Sequence, residues 1–60
     1  MNNLVQIEIK TDNAAFDEPD TDTEVARILR ELADKIESVG LDDMSLRDFN
    51  GNTVGSVIYD

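Results

Sequence analysis

A chain of 60 residues with neither cysteine nor histidine must hold its fold with apolar side chains. No disulfide can staple it, and no thiolate or imidazole metal site can brace it. A domain of this size buries only about 60% of the surface that its unfolded chain exposes. One small core is therefore expected, supplemented at most by a partner subunit. The hydrophobic fraction of 40% suffices for such a core, so residues 1–60 are expected to fold as one acidic domain.

Val5, Ile7 and Ile9 alternate with Gln6, Glu8 and Lys10, the period-2 pattern of a strand covered on one face. Thr11 to Asp20 has no periodicity, contains Pro19 and reads as a loop. Thr21 and Glu24 have the spacing of a capping box, hydroxyl to the third backbone N–H and carboxylate back to the cap N–H. Val25, Ile28, Leu29, Leu32, Ile36 and Val39 then share one stripe at helical spacing. A helix is predicted over about residues 22–39, with Glu31 and Lys35 as an i,i+4 ion pair and Gly40 as a left-handed C-terminal cap.

Met44–Asp48 and Asn52–Tyr59 flank Asn50-Gly51, a hairpin signal that permits two registers. A two-residue turn sets Leu46 opposite Gly55. A type I turn opening at Asp48, with Gly51 left-handed as a bulge, sets Leu46 opposite Val54 and Met44 opposite Ser56. The second is favoured because aspartate opens type I turns well and Leu46–Val54 is the better apolar pair. It sends Val57 and Tyr59 to the uncovered face. The fold class predicted is α+β, strand–helix–strand–strand, with one helix on a three-stranded, mostly antiparallel sheet whose last strand is central. Val5, Ile7, Ile9, Leu46, Val54 and Ile58 supply the sheet side of the core, and Val25, Ile28, Leu29, Leu32 and Ile36 the helix side.

Charge is the outlying feature. Fourteen acids against five bases give a net charge of −9, which disfavours attraction to nucleic acid or anionic lipid. Asp12, Asp17, Glu18, Asp20, Asp22 and Glu24 fall together with no base between Lys10 and Arg27. The predicted topology brings Asp48, in the hairpin turn, to the same end of the sheet, and sends Asp42, Asp43 and Asp60 to the opposite end. Acids in the first helical turn are favoured by the helix dipole alone. As a set, the seven residues Asp12 to Glu24 and Asp48 are the candidate partner-binding site, facing a basic surface. Crowded carboxylates also predict that moderate salt and mild acidification raise stability.

No catalysis is expected. Histidine and cysteine are absent, and Ser38, Ser45 and Ser56 have no evident activating base. Asp20, Asp22 and Glu24 alternate like the start of an EF-hand loop, with Glu31 at the twelfth position. Val25 occupies the sixth, where the loop needs glycine, and the segment already reads as helix. No metal site or cofactor is expected. No apolar run approaches the ~20 residues that span a membrane, and no signal peptide is legible, so the expected compartment is cytoplasmic.

The segments TDNAAF (11–16), EVARILRELADKIE (24–37) and LRDFNGNTVG (46–55) resemble very small acidic proteins of phages and other bacterial mobile elements, over about half of the chain. In size and charge the chain also resembles anti-CRISPR proteins, particularly inhibitors of type I (Cascade-type) effectors, several of which present acidic surfaces to DNA-binding grooves. The resemblance implies a non-enzymatic DNA mimic in a bacterial cytoplasm. It would bind a basic surface of a nucleic-acid-binding complex, with no direct contact to nucleic acid or membrane. No motif carries site residues across. The alternative is an acidic adaptor or regulatory subunit that forms a weak homodimer through its exposed sheet face.

Overall fold

A computed structural model describes residues 3–17 and 19–60. The elements follow in the predicted order: β1 (Val5–Ile9), α1 (Thr21–Val39), β2 (Met44–Arg47) and β3 (Thr53–Tyr59). The sheet order is β1-β3-β2 with both pairings antiparallel, so the last strand is central. This is the α+β fold expected. Antiparallel partners share a face. Val5, Ile7 and Ile9 lie opposite Tyr59, Val57 and Gly55, which in turn lie beside Met44 and Leu46. Val57, Leu46, Ile28 and Leu32 belong to one buried cluster, so this is the face turned toward α1.

The hairpin turn forms as its residues predict, yet the strand register differs. The Gly51 amide donates to the Asp48 carbonyl at 3.0 Å and the Asp48 amide to the Asn52 carbonyl at 2.9 Å. Gly51 takes φ +85, which glycine alone adopts without strain. Arg47 then pairs with Thr53, but the register shifts and Leu46 pairs with Gly55, leaving Val54 as an extra residue in β3. The expected Leu46–Val54 and Met44–Ser56 pairs are therefore replaced by Leu46–Gly55 and Met44–Val57. A bulge locally breaks the alternation of faces, so Val54 and Val57, three residues apart, are both buried. Val57 becomes the most enclosed side chain, with no exposed surface, and Tyr59 is half-buried on the same face. Neither lies on the uncovered face, and Ile58 is exposed there instead.

Two core residues come from the predicted loop. Ala14–Phe16 form a 3-10 turn in which the Ala15 amide donates to the Asn13 side-chain carbonyl at 2.9 Å. Its Ala15 and Phe16 are buried in the same cluster as Ile28, Leu32 and Leu46. α1 packs against this turn and β2, leaving the edge strand β1 poorly covered. Val5 and Ile7, expected in the core, are accordingly 40% and 46% exposed, and Leu29 is also exposed.

The capping box does not form. Asp20 is the N-cap residue without a side-chain cap bond, and the Thr21 hydroxyl donates to the Phe16 carbonyl. Glu31 pairs with Arg27 instead of Lys35. At the other end Gly40 has φ +94 and ψ 168, a glycine-only conformation outside the left-handed helical region, and its amide donates to the Ile36 carbonyl at 2.9 Å.

Candidate functional site

Six of the seven predicted site residues, all but Glu18, lie toward one end of the sheet, but they divide into two kinds. Asp48 and Glu24 are buried. Asp48 sits at the opening of the hairpin turn, where the backbone amides of Asn50 and Asn52 donate to its Oδ1 at 2.9 Å each. Its Oδ2 accepts from the side-chain amides of Asn13 at 2.9 Å and Asn52 at 3.2 Å. The Asn13 bond ties the loop after β1 to the turn, across 35 residues of sequence.

Glu24 performs the matching task for the helix. Its carboxylate accepts from Arg27 Nε at 2.7 Å and Nη2 at 2.8 Å, a two-pronged pairing, and from the Phe49 backbone amide at 2.8 Å. Arg27 also donates to Glu31 and, through Nη2, to the Arg47 carbonyl at 3.3 Å. The start of α1, the loop and the hairpin turn are thus clasped together by two carboxylates whose acceptor sites are filled from within the protein. Glu24 and Asp48 are correspondingly removed from the set that a partner could reach.

Asp12, Asp17, Asp20 and Asp22 remain exposed around the clasp, and Glu18 lies outside the described residues. Asp22 lies in the first turn of α1, and backbone bonds tie the described residues of the preceding loop: the Asp17 amide donates to the Ala14 carbonyl and the Asp20 amide to that of Asp17. Asp42, Asp43 and Asp60 are exposed near the opposite end of the sheet, where the Asp43 carboxylate accepts from the Tyr59 amide at 2.8 Å. Among the described residues no three potential metal-ligating side chains converge, and no helix is long and apolar enough to cross a membrane.

Sequence reasoning missed Asn13, Arg27 and Asn52 as parts of this end. The Asp48–Asn52 pair could have been found, because an aspartate opening a type I turn commonly accepts from the amides that follow it. The Glu24–Phe49 bond had no local signal.

The clasp sets a pH dependence. The Arg27 guanidinium, aided by the Phe49 amide, holds the Glu24 carboxyl below its usual range against the opposing effect of burial. Burial pushes Asp48 up, but the Asn52 amide groups, the Asn13 side chain and the Asn50 amide outweigh it and leave that carboxyl lowered as well. A carboxyl lowered by folding stabilises above its unfolded pKa and loses that contribution as pH falls through the folded value. For these two groups the loss falls below about pH 4. Their direction is opposite to the stabilisation by acid expected from the charge count. In thermal melts between pH 7 and pH 2, Asp48→Asn and Glu24→Gln should each lower Tm at pH 7 and flatten the decline below pH 4. An acid limb identical to wild type in both variants would show that the clasp does not control it.

Compared with protein-family models, with curated proteins and with solved structures, the chain matches none.

Proposed function

We propose that this protein is a non-enzymatic acidic binding module that occupies a basic nucleic-acid-binding groove of a protein complex, mimicking the charge of DNA. The observation that carries the reading is the placement of its exposed carboxylates. Asp12, Asp17, Asp20 and Asp22 lie at one end, Asp42, Asp43 and Asp60 at the other, and Asp34 and Glu37 on the solvent side of α1 between them. The body is 39 Å long and 20 by 17 Å across, close to the ~34–36 Å of one duplex turn. A net −9 over that length is about two-fifths of the charge density of a duplex, which carries one charge per ~1.7 Å. A groove that neutralises phosphates with lysine and arginine would gain from these carboxylates by the same release of counterions. The clasp adds pre-organisation, because a loop already ordered loses less conformational freedom on binding. The resemblance to small phage-borne inhibitors makes a type I CRISPR effector the leading partner class, in a bacterial cytoplasm.

Asp12→Asn, Asp17→Asn and Asp20→Asn combined should leave the melting curve near that of wild type, since all three side chains are exposed. The triple variant should bind a DNA-handling complex at least about ten-fold more weakly at low salt, with a flatter dependence on salt. Displacement of labelled DNA from that complex is the deciding measurement. Binding that never displaces DNA at any salt would overturn the reading.

A further inference from the structure

The uncovered strand β1 has a free backbone edge, and the hydrogen bonds at its two ends fix which residues present it. Leu4 and Asp60 exchange bonds at 3.0 and 2.9 Å, and the Lys10 amide donates to Val54 at 2.7 Å. The even-numbered residues therefore point their amides and carbonyls toward β3, and alternation turns those of Val5, Ile7 and Ile9 outward. The same three residues carry the apolar side chains of the inner face, where Val5 and Ile7 stay substantially exposed. Long apolar edges of this kind are templates for further pairing unless they are blocked by proline, by charge or by a covering element. β1 has no proline, and its segment from Asn3 to Thr11 holds one acid, Glu8, and one base, Lys10. In a chain of net charge −9 it is the neutral stretch, the place where two copies can meet with least repulsion.

We propose that β1 is a docking edge for a second copy of this chain, pairing antiparallel about Ile7 to form a continuous six-stranded sheet. In this register Ile7 faces Ile7 of the second copy and Val5 faces its Ile9. All three residue pairs are then of the hydrogen-bonded kind, giving about six inter-chain bonds. The inner-face pairs are wholly apolar, and on the outer face Glu8 meets Gln6 of the second copy. Moving the two-fold centre from Ile7 to Glu8, a two-residue slide of one strand past the other, would set Glu8 against itself. The interface is isologous, the contact that closes as a two-fold dimer.

The inference rests on the strand edge and is independent of the DNA-mimic reading. Sedimentation equilibrium between about 10 µM and 1 mM, the range where weak dimers form, should show the mass moving from one chain toward two, more readily at higher salt. Over the same range, amide exchange at Val5, Ile7 and Ile9 should slow by about ten-fold or more, while Gln6, Glu8 and Lys10 stay as protected as before. Ile7→Pro removes an edge-facing amide and the central apolar side chain of the interface while sparing the amides bonded to β3, and should give a monomer at all concentrations. Should that variant fail to fold, the exchange pattern of the wild-type chain decides alone. A single-chain mass throughout, or a doubled mass without slowed exchange at the three odd-numbered amides, would overturn the proposal.

Discussion

Gly55→Ala should unfold this protein or leave it barely folded. A methyl group at Gly55 would meet the backbone carbonyl oxygen of Glu8 at 1.8 Å and the Ile9 Cα at 3.1 Å. These are backbone atoms of the neighbouring strand and cannot rotate away as a side-chain tip could. Gly55 also lies beside the bulge, between Ile9 on one side and Leu46 on the other, so moving it disturbs both ladders of the sheet. A loss of about 4 kcal/mol or more is expected, comparable with the whole stability of many small domains. Urea denaturation followed by far-ultraviolet circular dichroism checks this, and a midpoint equal to wild type would mean that the two strands do not approach so closely.

Truncating the two phenylalanines should give opposite results. Phe16 is 3% exposed and Phe49 64% exposed. Phe16→Ala removes a large side chain from the cluster that joins the 3-10 turn to α1 and the sheet, at a cost of about 3–5 kcal/mol. Phe49→Ala should change stability by no more than about 0.5 kcal/mol, because only the backbone amide of Phe49 is engaged by Glu24. Denaturant midpoints of the two variants side by side provide the comparison. Equal effects would mean that Phe16 does not anchor the loop.

These two positions also mark where the fold was legible and where it was not. The alternation from Val5 to Ile9 and the stripe from Val25 to Ile36 are periodic signals, and both elements appear where the periods place them. Phe16 stands in a segment without a period, so nothing local distinguishes it from an exposed loop residue such as Phe49. In β3 the valines at 54 and 57 are spaced by three, which fits neither a regular strand nor the pairing that looked best. The bulge resolves that misfit, and it emerges only when β2 and β3 are matched residue by residue. At the candidate site, Asp12, Asp17, Asp20, Asp22, Glu24 and Asp48 lie toward the end of the molecule where the topology read from the sequence puts them. The sequence could not sort Glu24 and Asp48 from Asp17 and Asp20, because composition counts charges whereas burial depends on distant partners such as Asn13 and Phe49.

The clasp around Glu24 and Asp48 also governs where the molecule breathes. The first half of α1 is held by the Glu24 bonds and by the buried Ile28 and Leu32, whereas beyond Leu32 only Ile36 is partly buried and Val39 is largely exposed. No basic side chain occupies the last turn to oppose the negative end of the helix dipole. The free energy of local opening is therefore graded along the helix, highest between Glu24 and Leu32 and falling toward Val39. Fluctuation is thereby directed away from the clasp, which keeps its bonds while the far turns of the helix loosen and re-form.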